Sequence, residues 1–453
     1  MENILKILID FSLFEKYDKE YFISNKIVPI CEDSISLKVA VCKNSDLSNI
    51  KEKFSKLISF VEADELDILF LLSNLDKKIY LYKIASKSIF QKTDEKYIEE
   101  FLNELTLFSI YLRTSDIHIE MYKNLVLFKF RVDGRLKIFF TFEKEFFKSI
   151  SSYIKLISNL DMTQIRLPQD GRYSLNIEDK KYDFRVSTMP TLEAESIVLR
   201  ILDNKNIDKN LLTLGLTQSL LHKLKESLKL TQGLILISGP TGSGKTTTLY
   251  SILKELNCED KKIITVEDPV EYKIESINQV PINPKIGLSF EVVLKNILRQ
   301  DPDIIFIGEI RDRFSLDIAL QASLTGHLVL ASIHSNSAVE TITRLIDLQA
   351  DPFLISTTLK LIMAQRLVLN YCKFCEANGC EKCNYTKYYD RSSIAEILKV
   401  DEKISSLIFK KADINEFKEY LKAIDYQTLL DDGKLKVNQN LTSIEEIYKV
   451  VTY

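Results

Sequence analysis

The sequence lacks any hydrophobic segment long enough to cross a bilayer. Its longest uninterrupted apolar run, Ile68 to Leu72, has five residues, whereas a transmembrane helix needs about 20. The N-terminus also lacks the basic start of a secretory signal peptide. We therefore expect a cytoplasmic chain with no transmembrane segment, which reaches a membrane only through partners.

A strong charge of either sign is also missing. The 61 basic side chains nearly cancel 64 acidic ones, and the net charge is −3. Such a balance gives no overall attraction to nucleic acid, so direct nucleic-acid binding is not predicted. With 453 residues, 45% of them apolar, the chain can form several packed cores. This composition excludes collagenous, disulfide-stapled and wholly disordered proteins.

Cysteine is scarce, but its distribution is uneven. The chain has seven cysteines, and two Cys-x-x-Cys pairs separated by four residues contain Cys372, Cys375, Cys380 and Cys383. Four thiolates have the number and softness that tetrahedral Zn²⁺ prefers. In a reducing compartment such a cluster favours a metal over disulfides. We predict a short zinc knuckle, with free or redox-active thiols as the alternative.

Glycine is absent from the first part of the chain, up to Gly134. Residues 1–95 are rich in Ile, Leu, Phe and Lys, and we interpret them as a small α+β domain. Near its start, the apolar residues Ile4, Ile7, Leu8 and Phe11 have helical spacing. A membrane-binding amphipathic helix is one possibility, but the polar face is not markedly basic. We favour a helix that packs on its own domain.

Two further domains follow. Residues 96–205 alternate helix and strand patterns around the turns Asp133-Gly134 and Asp170-Gly171, which predicts a second α+β domain. The polar segment 203–210 is the predicted linker. Residues 213–453 alternate apolar strands with helical stretches, a pattern typical of a parallel α/β sheet. The predicted fold class is thus α/β, with smaller α+β domains before the main one.

A phosphate-binding loop is the clearest motif. The apolar strand 234–238 leads into Gly239–Thr246, which matches G-x-x-x-x-G-K-[ST] in full. Glycines let successive backbone N–H groups face one anion, and a following helix adds the positive end of its dipole. Lys245 can reach the β and γ phosphates of ATP, and the Thr246 hydroxyl can ligate Mg²⁺. The predicted nucleotide-binding residues here are Gly239, Thr241, Gly242, Ser243, Gly244, Lys245, Thr246 and Thr247.

Acidic residues follow two other predicted strands. Residues 263–266 precede Glu267, and residues 304–307 precede Gly308 and Glu309. Because ligands collect at the carboxyl ends of parallel strands, both carboxylates are catalytic candidates. We predict Glu309 as the general base. Gly308 stands where many P-loop enzymes carry an Asp. We therefore expect Thr246, phosphates and waters to ligate Mg²⁺, and Glu267 or Glu309 to contact the ion only through those waters.

Two of the four histidines flank one more apolar strand. His327 and His334 lie at opposite ends of Leu328–Ile333. They could sense phosphate or couple the site to a neighbouring subunit, although a lone histidine more often has a structural role.

These motifs, with others before and after them, resemble those of the secretion traffic ATPases. That family drives type II secretion, type IV pilus assembly and DNA uptake. The resemblance covers roughly residues 100–400 and includes the segments Ser115–Glu120, Arg131–Gly134, Gln169–Arg172, Gly239–Thr246, Thr265–Tyr272, Leu298–Asp303, Gly308–Asp312, Thr325–Val329, His334 and Ala364–Leu367.

The resemblance implies a homohexamer of RecA-like motor domains, with ATP bound between each motor domain and a smaller N-terminal domain. Arg185 and Arg200 look like the arginines that the smaller domain offers to the phosphates. Glu309 looks like the catalytic glutamate, and His327 and His334 look like the family's histidine box. Two cysteine pairs are typical of assembly-type members.

We therefore predict an ATP hydrolase that powers assembly of a pilus or pseudopilus. The resemblance implies an inner-membrane platform protein as one partner, and residues 1–95 would bind a cytoplasmic docking partner. The alternatives are a P-loop DNA translocase and a non-catalytic, nucleotide-gated scaffold. DNA-stimulated activity would indicate the first, and tight ATP binding without hydrolysis would indicate the second.

Overall fold

The protein is described by a computed structural model that covers residues 3–43, 45–90, 95–178, 180–202 and 209–451. The chain divides into two compact units. The first unit comprises residues 1–203 together with 372–389, and the second comprises residues 204–371 and 390–453. The cysteine segment therefore groups with the first unit, although its neighbours in sequence belong to the second. Residues 203–208 of the predicted linker lie outside the described residues.

The first unit begins with a small three-stranded sheet in the order β1-β2-β3. The pair β1–β2 is antiparallel, and β2–β3 is parallel. The strands are β1 (Val28–Glu32), β2 (Ser36–Cys42) and β3 (Leu57–Ala63), and the helices of this region are α1 (Leu13–Lys16), α2 (Lys19–Ser24), α3 (Leu47–Lys53), α4 (Glu65–Leu72), α5 (Leu75–Phe90) and α6 (Glu95–Tyr111).

A six-stranded antiparallel sheet follows, with the order β6-β5-β4-β9-β8-β7. Its elements are β4 (Thr114–Tyr122), β5 (Leu125–Val132), β6 (Arg135–Glu143), α7 (Lys144–Ile157), β7 (Gln169–Ile177), β8 (Lys180–Pro190) and β9 (Glu195–Leu202). One hydrophobic cluster runs from Ile4 to Ile201 and joins this sheet to the elements before it. The separation of residues 1–95 from 96–205 as two domains stays a prediction.

The predicted helix at the N-terminus is wrong. Only Ile4–Lys6 forms a short 3₁₀ helix, and Ile7 is already extended. The backbone N–H of Asp10 donates to the carbonyl of Ile30, 2.9 Å away, so this segment pairs with β1 and cannot continue a helix. Ile4 and Phe11 are nevertheless buried in the hydrophobic cluster that runs from Ile4 to Ile201, so they pack within the first unit. Packing on residues 1–95 alone stays a prediction.

The second unit is built on a seven-stranded sheet in the order β12-β11-β13-β14-β10-β15-β16. From β12 to β15, each neighbouring pair of strands is parallel. The strands are β10 (Gly233–Ser238), β11 (Ile263–Glu267), β12 (Asn278–Pro281), β13 (Ile304–Ile307), β14 (Leu328–Ile333), β15 (Leu359–Tyr371) and β16 (Tyr388–Lys399). Strands β10, β13 and β14 are buried along their whole length, as expected of strands covered on both faces.

Helices connect and cover these strands. They are α8 (Gln218–Ser227), α9 (Lys245–Leu256), α10 (Phe290–Ile297), α11 (Arg313–Leu324), α12 (Ala338–Asp347), α13 (Pro352–Thr358), α14 (Glu402–Phe409), α15 (Ile414–Ala423), α16 (Leu429–Asn438) and α17 (Ile444–Val450). The predicted α/β class with a parallel sheet is confirmed, and β10, β11, β13 and β14 coincide with predicted strands to within one residue. Within the described ranges, no helix combines the length and apolar character that a membrane span requires.

Candidate functional site

The predicted P-loop connects β10 directly to α9. Gly239 has a φ of 152°, and a Cβ there would lie only 2.7 Å from the carbonyl oxygen of Gln365. Gly244, at the start of α9, has a φ of 90°. A side chain at either position would be strained, so glycine is required for the tight path of this loop.

Lys245 bends back over the loop that precedes it. Its Nζ donates to the carbonyl oxygens of Gly239 at 2.7 Å and Pro240 at 3.1 Å. Burial lowers the pKa of Lys245 to about 8, although the carboxylate of Glu309 acts in the opposite direction. The ammonium therefore occupies the loop in which phosphate oxygens are expected to bind.

Glu309 lies between the side chains of His334 and Arg311. Its Oε1 is 2.8 Å from His334 Nε2, and its Oε2 accepts a hydrogen bond of 2.7 Å from Arg311 Nε. This bond raises the pKa of Arg311, so its guanidinium keeps its charge. The Glu309 side chain is 21% exposed, which leaves the carboxylate held in position yet accessible to solvent.

Polar bonds also fix the backbone that carries Glu309. The Ser332 hydroxyl donates to the carbonyl of Gly308 at 2.6 Å, and the N–H of Ile310 donates to the carbonyl of Ser332 at 2.8 Å. A Cβ on Gly308 would lie 3.2 Å from the carbonyl oxygen of Val266. Glycine at the position before Glu309 therefore allows close backbone packing between β13 and β11.

Glu267, the other predicted acid, is enclosed by donors from the core. Its carboxylate accepts hydrogen bonds from Tyr250, Thr265 and Gln279. Burial raises the pKa of Glu267, and these hydrogen bonds partly offset that effect. Its exposed fraction is only 3%. Its catalytic role stays a prediction, and its contacts favour a supporting role at the end of β11.

The two histidines are separated by the length of β14. His334 reaches Glu309, whereas His327 precedes the strand and lies 3.0 Å from the carbonyl of Ala322 through Nδ1. Leu328 pairs with Gly233, the first residue of β10, at the edge opposite the P-loop. Six strand residues span roughly 20 Å. Nucleotide binding by His327 stays a prediction that the geometry of one chain does not support.

The first unit carries a row of charged residues across five adjacent strands. Cross-strand pairing joins Arg131 to Asp116, Asp116 to Arg200, Arg200 to Arg185, and Arg185 to Arg172. Directly paired residues share one face of a sheet. The structure therefore brings the predicted Arg185 and Arg200 together and adds Arg131 and Arg172. Both added residues lie in family motifs, but only the strand register shows that they belong to this row.

Asp116 orients one of these arginines. Its Oδ1 accepts a hydrogen bond of 2.8 Å from Arg200 Nε, and its Oδ2 accepts one of 2.7 Å from the Ser115 hydroxyl. Burial alone would raise the pKa of Asp116, but the bonds from Arg200 and Ser115 keep it below its usual value. The single carboxylate of the row is thus ionised and holds Arg200 by one edge of the guanidinium.

The predicted metal ligands converge. The sulfur atoms of Cys372, Cys375, Cys380 and Cys383 all lie within 4.8 Å of one another. The pairs Cys372–Cys380, Cys375–Cys383 and Cys380–Cys383 are each 3.9 Å apart. Four thiolates at Zn–S distances of about 2.3 Å in a tetrahedron would have sulfur separations of about 3.8 Å. The cluster is therefore compatible with a structural zinc ion.

Comparisons with known proteins show which proteins this chain resembles. A family model described as type II/IV secretion system protein matches residues 91–449. The type II secretion system protein E of Klebsiella pneumoniae is 36% identical over 429 residues, covering 88% of this chain and 86% of that protein. The type II secretion system ATPase E of Vibrio cholerae serotype O1 is 38% identical over 390 residues, covering 81% of this chain and 77% of that protein. Among solved structures, the Legionella pneumophila ATPase DotB has a TM-score of 0.63 and 25% identity, over 78% of this chain and 95% of that chain.

The lowered pKa of Lys245 predicts that affinity for ATP depends on pH. The ammonium is charged below about pH 8 and neutral above it, so affinity for ATP should fall as the pH rises. We expect a loss approaching tenfold for each pH unit above about 8. Titration of a fluorescent ATP analogue between about pH 7.5 and 9.5, where the phosphates are fully ionised, measures this loss.

Lys245→Met serves as the control, since its weaker affinity should not change over the same range. An affinity of the wild-type chain that is equally constant would contradict the assigned role of Lys245.

Proposed function

The chain belongs to the family of type II/IV secretion system proteins, as its motifs predicted, and from this premise we propose that it is an ATP-hydrolysing motor that powers assembly of a pilus or pseudopilus. The observation that carries the proposal is the pairing of an intact P-loop with Glu309. In the same unit, Lys245 is oriented to exchange its carbonyl contacts for phosphate oxygens. Glu309 is close enough to influence the Lys245 charge and remains accessible to water.

Glu309 has the properties of a general base for hydrolysis. Its carboxylate would orient a water molecule and accept its proton as the water oxygen attacks the γ-phosphorus. His334 and Arg311 each hold one carboxylate oxygen, which limits the rotation of the side chain. Such preorganisation is the main contribution that a protein makes to phosphoryl transfer. Mg²⁺, when bound, neutralises charge on the phosphate oxygens, and Thr246 is the residue that would hold it.

We propose that the arginine row completes the nucleotide site. Arg200 is 62% exposed although Asp116 anchors it, so its free edge can contact an anion. Arg185 is its direct cross-strand neighbour. Arginine neutralises charge spread over phosphoryl oxygens and can contribute about 10³–10⁵ in rate. In a homohexamer, the smaller domain of a subunit would present these side chains to ATP.

The same premise suggests partners and a location. We propose a homohexamer that works at the cytoplasmic face of the inner membrane. It would transmit the motion produced by hydrolysis to a membrane platform protein. Residues 1–95 would bind a cytoplasmic docking partner.

We further propose that the four clustered cysteines hold zinc. Support comes from their sulfur separations and from two backbone N–H groups that donate to the sulfurs. Gly379 donates to Cys375 Sγ, and Cys380 donates to Cys383 Sγ, both at 3.2 Å. Such N–H donors stabilise the negative charge of thiolates. Zinc would therefore fix the turn by which the chain leaves β15 and returns into β16.

Removing the base should abolish turnover. In steady-state ATPase assays of the hexamer-sized fraction, we expect Glu309→Gln to lower kcat by at least about a hundredfold, because the amide cannot accept a proton. Glu419→Gln, the same change at an exposed position on α15, should retain wild-type activity. Addition of DNA should leave all rates unchanged.

One arginine variant and a matched lysine control extend the same assay. Arg200→Gln should lower kcat in hexamers of normal size, whereas Lys181→Gln, at an exposed site on the neighbouring strand β8, should not. Strong stimulation by DNA would favour a translocase. Hydrolysis that survives Glu309→Gln would exclude Glu309 as the base.

Metal analysis tests the cysteine proposal. The purified chain should contain about one zinc ion per chain, and Cys375→Ser should contain much less. Cys258→Ser is the matched control, because Cys258 is an exposed cysteine outside the cluster. Equal zinc contents in the two variants, or a wild-type chain without zinc, would contradict a cysteine-bound structural ion.

A further inference from the structure

Gln365 lies next to the P-loop at the point where β10 ends. Strand β15 pairs with β10 in parallel, and Ser238 is opposite Ala364. The next residue on each strand is Gly239 and Gln365. The Gln365 side chain is completely buried. A buried amide needs partners for both its donor and its acceptor.

The P-loop and its helix supply both partners. Gln365 Nε2 donates to the carbonyl oxygen of Ser243 at 2.7 Å, and Gln365 Oε1 accepts from the Thr248 hydroxyl at 2.9 Å. A backbone carbonyl can only accept, so the orientation of the amide is determined by Ser243. One side chain therefore connects the loop and the first turn of α9 to strand β15.

Gln365 is itself held from the other side. Arg366 donates to the carbonyl of Gln365 at 3.0 Å and to the carbonyl of Asn336 at 2.9 Å, and its Nε donates to the carbonyl of Val450 at 3.2 Å. Asn336 lies two residues after His334. This part of β15 is consequently a fixed support, tied to the loop that contacts Glu309.

The bond to Ser243 controls the peptide unit between Ser243 and Gly244. In a trans peptide, N–H and C=O point in opposite directions. Tying the Ser243 carbonyl to β15 therefore directs the Gly244 N–H away from that strand. Gly244 tolerates many backbone conformations, so without this bond the peptide could rotate and turn a carbonyl oxygen toward an approaching anion.

We propose that Gln365 is a positioning residue that keeps the P-loop in its phosphate-binding conformation. It acts through Ser243 and Thr248 and does not itself contact the nucleotide. The proposal rests on the proposed function only in that the anion is a nucleotide phosphate. Its consequence is an effect on nucleotide affinity that is separate from the chemical step.

Gln365→Glu tests this arrangement with a side chain of the same shape. At about pH 7.5 the ionised carboxylate faces the Ser243 carbonyl without a proton to donate, and we expect nucleotide affinity to fall by about tenfold. At about pH 5.5 the buried carboxyl takes up a proton, since burial raises carboxyl pKa values. The protonated group again has one donor and one acceptor, so most of the loss should be recovered.

The measurement is the dissociation constant of a fluorescent ADP analogue, expressed at each pH relative to the wild-type chain. Gln365→Met fills the same space without polar atoms, so its nucleotide affinity should be low at both pH values. Gln321→Glu, on the exposed surface of α11, should match the wild type. Thr248→Val removes only the hydrogen bond to Gln365 Oε1, and we expect nucleotide affinity to fall by about threefold.

Wild-type affinity at about pH 7.5 in both Gln365→Glu and Gln365→Met would overturn the proposal. So would a loss that is equal at both pH values in a Gln365→Glu variant with the wild-type thermal unfolding temperature. If Gln365→Glu does not fold, Gln365→Met and Thr248→Val test the proposal in its place. Wild-type nucleotide affinity in both of these variants would overturn the proposal. A chain that binds the analogue but never hydrolyses ATP would contradict the proposed motor and leave this proposal standing, since the readout is binding alone.

Discussion

Parallel pairing in register is the constraint on which the candidate ATP site depends. Ser238 of β10 pairs with Ile333 of β14, and Ile307 of β13 pairs with Ala331 of β14. These strands therefore end at the same edge of the sheet, and the residues after them begin the P-loop, the Gly308-Glu309 turn and the loop of His334. Groups that are some 25 to 90 residues apart in the chain meet because hydrogen-bonded strands allow little freedom in where each one ends.

Side-chain bonds to backbone carbonyls convert this shared edge into a precise site. Ser332 fixes Gly308, and Gln365 fixes Ser243. Charge is arranged on the same framework. Lys245 is partly desolvated, while Glu309 lies between His334 and Arg311. A nucleotide would thus meet donors whose positions are already determined, which reduces the reorganisation required for hydrolysis.

Local sequence patterns predicted what depends on local chemistry. The P-loop, its strand and helix, and the acids at the ends of β11 and β13 follow from short motifs and apolar runs. The arginine row was predicted only in part, because Arg131 and Arg172 join it through cross-strand register that no local pattern contains. Long-range packing likewise determined the backbone conformation between Ile4 and Phe11, where the apolar spacing had predicted a helix. Gln365 stood in a family motif, but its role depends on a neighbour 122 positions away in the chain.

The proposed role of Glu309 is in the chemical step and not in the binding of ATP. The most direct test is to identify the nucleotide bound to Glu309→Gln after incubation with ATP for many wild-type turnover times. Rapid separation of the protein followed by chromatography of the released nucleotide gives the answer. We expect bound ATP at wild-type stoichiometry in the variant, while the wild-type chain carries ADP. Bound ADP in the variant, or an empty variant that still folds, would contradict this role of Glu309.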